Sequence, residues 1–225
     1  MSNERPPQPI VVLISGRGGN MRALTERSRE LPQAYEVALV LSDQPAALGL
    51  TVARDLGLAA RTVPADRSSD RVEYGRALAA VIDQCAPSLI VLAGFMRILS
   101  AEFVDRYAGR ILNIHPSLLP KYPGLHTHRK VIAAHDPVHG ATVHFVTAEL
   151  DGGPRIIQAR VKVNPDDDED TLAARVQTQE HRIYPVAVRW YCEGRLRCRE
   201  GRAWLDGTAL AEPVLYPDGD PARGD

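Results

Sequence analysis

An unbroken apolar run, Ile10-Val11-Val12-Leu13-Ile14, passes directly into the glycine-rich segment Ser15-Gly16-Arg17-Gly18-Gly19-Asn20. A strand with one wet face alternates apolar and polar residues. A continuous β-branched and leucine run instead needs cover on both faces, as in a parallel sheet between helical layers. The glycines permit a sharp turn, and Asn20-Met21-Arg22-Ala23-Leu24 then opens a helical pattern with Asn20 as its expected N-cap. The alternation continues through a strand at Val37–Leu41, a helix at Pro45–Leu56 closed by Gly57, and a short strand at Ala60–Val63. A helix at Asp70–Gln84 and a buried strand at Leu89–Ala93 follow. Repeated strand–helix alternation predicts an α/β fold, a Rossmann-like doubly wound, mostly parallel sheet.

The pattern changes after the strand Ile111–Ile114. A proline-punctuated loop runs from Pro116 to Pro123, and a helix is expected over His126–Ala134. Ala141–Thr147 and Arg155–Val163 alternate apolar and polar residues, which predicts antiparallel additions in the C-terminal part. Asp168–Trp190 reads as a long helix that Pro185 should kink or split. The acid run Asp166–Asp170 fits a solvated approach to that helix's N-terminus. Residues 1–8 read as a flexible lead-in, 9–211 as a single domain, and 212–225, rich in Pro, Gly and Asp, as a flexible tail.

A chain of 225 residues with 44% hydrophobic and 24% charged content can build its core without a disulfide or metal staple. A formal net charge of -1 argues against nucleic acid as a partner. The run at Ile10–Ile14 is too short for a signal h-region or a membrane span, so no membrane partner and a cytoplasmic location are expected. Cys85, Cys192 and Cys198 show no CxxC spacing, and free thiols are the better reading.

Candidate chemistry gathers in two places. The glycine segment lacks the third glycine of a dinucleotide fingerprint, since Met21 stands there, and no Gly-Lys-Ser/Thr follows. That leaves a site for one phosphate monoester or a tight structural turn. Asp43, at the end of the second strand, would otherwise pass for a ribose-binding acid. Asn113 and His115 lie two apart at a strand end and so face the same way, toward the crevice beyond the carboxyl ends of the strands. An amide donor and an imidazole there can stabilise an oxyanion forming on a carbonyl or formyl carbon. Asp151, in the turn Leu150-Asp151-Gly152-Gly153-Pro154, is the best candidate for the carboxylate that favours the imidazolium. A satisfied structural histidine and an ordinary turn-forming aspartate are the competing readings. Six of the seven histidines fall between His115 and His144, but the intervening helix and loop do not bring them to one site, and no metal is expected.

Several strings carry a resemblance. Val12-Leu13-Ile14-Ser15-Gly16, Leu92-Ala93-Gly94-Phe95-Met96-Arg97-Ile98-Leu99-Ser100, Leu112-Asn113-Ile114-His115-Pro116-Ser117-Leu118-Leu119-Pro120, His139-Gly140-Ala141-Thr142-Val143-His144, Leu150-Asp151-Gly152-Gly153-Pro154 and Gln177-Thr178-Gln179-Glu180-His181 closely resemble the folate-dependent phosphoribosylglycinamide formyltransferases. The resemblance implies formyl transfer from 10-formyltetrahydrofolate, as co-substrate, to the amine of glycinamide ribonucleotide in purine synthesis, by a monomer or homodimer without a metal. It implies catalytic roles for Asn113, His115 and Asp151. It implies ribonucleotide contacts at Gly18, Gly19, Asn20, Gln177 and Glu180, the last two sharing one helix face. Folate contacts follow at Arg71, Met96, Arg97, Ile98, Leu99, Asn113, Thr147, Ala148, Glu149, Leu150 and Asp151. The N-terminal half would then serve the phosphate, and the C-terminal half the folate and catalysis. Many relatives carry Ser where Gly19 stands; Gly19 keeps the backbone amide and lacks the hydroxyl, and Arg17 is expected to face solvent. A transfer-RNA formyltransferase would carry an added C-terminal domain and a formyltetrahydrofolate hydrolase an N-terminal one, and neither is expected here.

Overall fold

The computed structural model describes residues 6–66 and 69–217. The alternation read from the sequence is realised as β1 (Gln8–Ile14), α1 (Gly19–Glu30), β2 (Tyr35–Ser42), α2 (Leu48–Asp55), β3 (Ala60–Thr62), α3 (Arg71–Ile82), β4 (Leu89–Leu92), α4 (Ala101–Arg106) and β5 (Ile111–His115). Beyond these lie α5 (Thr127–Ala133), β6 (Val138–Phe145), β7 (Arg155–Lys162), α6 (Glu169–Cys192), β8 (Leu196–Arg199), β9 (Arg202–Leu205), β10 (Thr208–Ala209) and β11 (Val214–Leu215). The main sheet runs β11-β7-β6-β5-β4-β1-β2-β3. It is parallel from β3 to β5, while β6 pairs antiparallel with both β5 and β7.

β1 shows why the sheet is doubly wound. Ile10, Val12 and Ile14 join one core cluster with Leu24, Val176 and Tyr184, and Val11 and Leu13 join another with Leu78, Ile82 and Phe103. Side chains of period two thus feed both helical layers. Chain order reverses between β1 and β4, and the crevice outside their carboxyl ends is where such sheets bind ligands.

Four expectations need correction. Gly18, not Asn20, is the N-cap of α1: its φ of 78° is left-handed, which suits a residue without a Cβ, and the helix starts at Gly19. The helix expected from Pro45 begins only at Leu48. Pro185 does not split α6, which runs 24 residues from Glu169 to Cys192. A proline inside a helix costs about 3 kcal/mol. Around it, however, Ile183, Tyr184 and Val188 are all 0% exposed, and side chains of this size each recover about 1.5–3 kcal/mol on burial. The tail is not wholly loose either, because β11 pairs parallel with β7 and Tyr216 N donates to the Gln158 carbonyl at 2.8 Å. Residues 1–5 of the lead-in and 218–225 of the tail lie outside the described residues.

Besides β11, the short α4 and a separate antiparallel sheet of β10-β9-β8 had not been anticipated. Among the described residues the three cysteines are free thiols, and no helix is long and apolar enough to cross a membrane.

Candidate active site

The strand β5 delivers Asn113 and His115 to one side at its carboxyl end, and β6 closes against it with Asn113 opposite His144. His144 is 2% exposed, and its Nδ1 lies 2.9 Å from the Phe145 carbonyl, an acceptor only. Nδ1 therefore carries a proton. Burial pushes the imidazole pKa below its ordinary value, which leaves Nε2 bare on a neutral ring. The Asn113 amide donates Nδ2–H to that Nε2 at 3.2 Å. The contact fixes which end of the amide is nitrogen, and it leaves the second Nδ2 hydrogen available.

His115 is held at both nitrogens. Nδ1 lies 3.4 Å from Asp151 Oδ2, with both side chains 7% exposed, and Nε2 lies 3.0 Å from the Tyr122 carbonyl. A carboxylate and a carbonyl both accept, so each ring nitrogen has an acceptor placed for an N–H. Asp151 Oδ2 also accepts from Gly124 N at 2.8 Å, and its Oδ1 stands 3.8 Å from His144 Nε2. The backbone at Asp151 is left-handed, φ 53°, in a turn whose next corner tolerates no side chain. A Cβ on Gly153 would fall 1.8 Å from the Phe145 carbonyl oxygen. Gly153 thus lets the turn press onto the end of β6, with the Asp151 carboxylate reaching His115. The loop between β5 and α5 contains a cis peptide bond at Leu119-Pro120.

On the other side of the crevice the main chain supplies the polar groups. Gly49 N donates to the Gly16 carbonyl at 2.9 Å, and a Cβ on Gly18 would stand 2.9 Å from Gly49 Cα. That contact between α2 and the glycine loop directs the loop into α1, whose first-turn amides have no intrahelical acceptor. Asn20 donates Nδ2–H to Glu180 Oε2 at 2.7 Å and so ties α1 to α6. Burial pushes the Glu180 carboxyl above its usual range, and the Asn20 bond opposes the shift. Gln177, on the same face of α6, is exposed, as is Arg17.

Between the two sides lies the stretch after β4. Ser15 Oγ donates to Asp43 Oδ1 at 2.6 Å and accepts from Met96 N at 2.8 Å, which fastens this stretch to the glycine loop. Asp43, 2% exposed, is consumed by that bond and by Gln44 Nε2 and is not a ribose ligand in waiting. Met96 and Ile98, in the stretch after β4, and Leu150, in the turn after β6, are apolar side chains left 71%, 52% and 58% exposed. Thr147, Ala148 and Glu149, which precede Leu150, are exposed, the Leu99 side chain is half-buried, and the Arg97 guanidinium sits 5.0 Å over the Tyr74 ring. Arg71 opens α3, the helix that carries Tyr74.

The structure therefore gathers Asn113, His115 and Asp151, and separately Gly18, Gly19, Asn20, Gln177 and Glu180. The sequence reading had missed His144. Its signal is not local, because only the β5–β6 register sets it against Asn113. Of the remaining histidines, His128 Nδ1 and His139 Nε2 meet at 3.0 Å, and burial brings the His139 pKa down to about 4.

Comparison with known proteins places this geometry in context. The formyl transferase family matches residues 8–188. The phosphoribosylglycinamide formyltransferase of Escherichia coli is 54% identical over 201 residues, 89% of this chain and 95% of that one. The enzyme of that name from Haemophilus influenzae is 42% identical over the same share of each. The phosphoribosylglycinamide formyltransferase structure from Coxiella burnetii superposes with a TM-score of 0.88 at 43% identity, covering 94% of this chain and 100% of that one.

Proposed function

Because the chain belongs to the formyl transferase family, we propose that its crevice moves the formyl group of 10-formyltetrahydrofolate onto the amine of 5'-phosphoribosylglycinamide, a step of purine synthesis. The meeting of Asn113, His115 and Asp151 at the end of β5, beside a glycine loop suited to one phosphate, carries this reading.

The ribonucleotide phosphate sits on the amides of Gly18, Gly19 and Asn20, and Gln177 and Glu180 take the ribose hydroxyls. The folate lies along Met96, Arg97, Ile98 and Leu99, with Thr147–Asp151 and Arg71 contributing at its edges. The apolar exposure of Met96, Ile98 and Leu150 suits a flat heterocycle. The neutral substrate amine attacks the formyl carbon and its oxygen becomes anionic. The free Nδ2 hydrogen of Asn113 donates to that oxygen, and His115 Nε2–H exchanges the Tyr122 carbonyl for it, while the Asp151 carboxylate at Nδ1 orients the ring. The C–N bond to the folate then breaks, and a proton passes from the attacking nitrogen to the departing one. No acyl-enzyme forms.

Purified protein given both substrates should release formylated ribonucleotide and tetrahydrofolate in equal amounts, followed by folate absorbance and mass of the product. A folded sample with no turnover above the uncatalysed rate would sink the reading.

A further inference from the structure

Two rows of side chains cross the sheet from the carboxyl end of β5. His115 lies opposite Thr142 of β6, and Thr142 opposite Gln158 of β7. Asn113 lies opposite His144, and His144 opposite Arg155. Cross-strand partners share a face, and the outer members of the two rows meet over one atom. Gln158 Nε2 donates to the Leu119 carbonyl at 2.8 Å, and Arg155 Nη1 donates to it at 2.9 Å. The second Gln158 amide hydrogen goes to Thr142 Oγ1 at 2.9 Å. That hydroxyl also accepts from Leu119 N at 3.1 Å and donates to the Ser117 carbonyl at 2.6 Å. Both amide hydrogens, the full capacity of the hydroxyl and both lone pairs of the Leu119 carbonyl are therefore in use. Gln158, Thr142, Ser117 and Leu119 are all buried, so deleting one donor strands its acceptor away from water.

This clamp holds the segment that reaches His115. Ser117 Oγ donates to the Lys121 carbonyl at 2.7 Å, and Lys121 N to the Leu118 carbonyl at 3.1 Å, which closes residues 117–121 on themselves. The next carbonyl, that of Tyr122, accepts the His115 Nε2–H at 3.0 Å. The other tie on the segment is Asp136, which accepts from Lys121 Nζ at 2.7 Å and the Tyr122 hydroxyl at 3.2 Å. Lys121 is exposed, and an exposed ion pair holds weakly. We propose that Gln158, with Arg155 beside it, is a positioning residue for His115. From two strands away it fixes the segment whose Tyr122 carbonyl orients the imidazole. The inference rests on the role given to His115 above and extends it to β7. The route runs from Leu119 to Tyr122 and ends on the ring. With Leu119 released, the ring keeps its Asp151 anchor and can swing about it.

The test is read first on the ring itself. In full-length protein carrying ring-labelled histidine, the His115 Nε2–H is assigned by its absence in His115→Ala. That proton should exchange with solvent several-fold faster in Gln158→Met, which keeps a side chain of similar length and removes its donor. In the transfer assay the same variant should lose about tenfold in kcat, with KM for the ribonucleotide within about twofold of wild type. Arg155→Met changes a side chain that is already 31% exposed, where the fold is at little risk. It should show both effects at about threefold, since Gln158 still holds the carbonyl. A merely structural role predicts lower melting temperatures, with ring exchange and kcat per folded molecule both unmoved. Ring exchange or kcat at the wild-type value in both variants overturns the proposal. Should the wild-type protein transfer no formyl group, ring exchange decides alone: faster exchange in the variants keeps the positioning of His115, and the assigned reaction falls.

Discussion

On the β1–α1 side of the crevice the groups proposed to meet the ligand belong largely to the main chain, at Gly18, Gly19 and Asn20. On the β5–β6 side they are side chains, Asn113, His115 and Asp151, each held by another residue from a different element. A main-chain site depends on φ, ψ and the absence of a Cβ, so a single added methyl group can close it. A side-chain site depends on tertiary register, and there the functional group can be deleted with the backbone left in place. The two sides should therefore fail in opposite ways, the first through substrate affinity and stability, the second through rate.

The sharpest break is His115→Ala. It removes the donor proposed to face the developing oxyanion and leaves the glycine loop untouched. The expected loss is about 10³-fold in kcat, in line with deletion of an oxyanion donor, with the affinity for inorganic phosphate unchanged within error. Rapid-quench turnover and a phosphate titration measure the two independently. If phosphate affinity fell in step with kcat, the two sides would not be separable, and His115 would be holding the crevice open instead of acting on the reacting atoms.

A smaller effect is expected one residue further from the chemistry. His144→Leu takes away the acceptor of the Asn113 Nδ2 hydrogen, freeing the amide to rotate. Misplacement of a reacting partner on this scale costs about 10- to 100-fold in kcat. KM for the ribonucleotide should stay near the wild-type value, and His144→Gln, whose carbonyl can accept the same hydrogen, should recover part of the rate. A change confined to KM would remove His144 from its positioning role.

This contrast also accounts for what the sequence made legible. The apolar run at Ile10–Ile14 and the glycines behind it declare their environment locally, and so do Asn113 and His115, which alternate onto one side of a single strand. His144 is silent on this scale, since its partner is set by the antiparallel register 31 residues away in sequence. Asn20 looked like a cap because its residue type caps helices. The left-handed Gly18 takes that position, and the Asn20 amide is spent on Glu180, 160 residues along the chain. Pro185 argued for a kink or a split, and the buried neighbours in α6 overrule the split. The small sheet was hidden for another reason: β8, Leu196-Arg197-Cys198-Arg199, is only partly buried and mixes charge into a short strand, so it carries too little apolar pattern to be told from a loop.

The smallest expected effect probes the main-chain side directly. At Gly18, φ is 78°, and an added Cβ would meet Gly49 Cα at 2.9 Å. At Gly57, φ is 74° with nothing within 4 Å of the added atom. Alanine at either position incurs the left-handed strain, about 1–2 kcal/mol, and only Gly18→Ala adds a clash between two backbones. Both variants should therefore melt several degrees lower. Gly18→Ala should melt lowest and raise KM for the ribonucleotide a few-fold while kcat at saturation stays within about twofold. Gly57→Ala should keep the wild-type KM. Thermal melts and initial rates on the pair separate strain from shape. Equal KM values in the two variants would mean that the approach of α2 to the glycine loop has no part in seating the phosphate, and would remove the structural basis for treating that side of the crevice as a main-chain site.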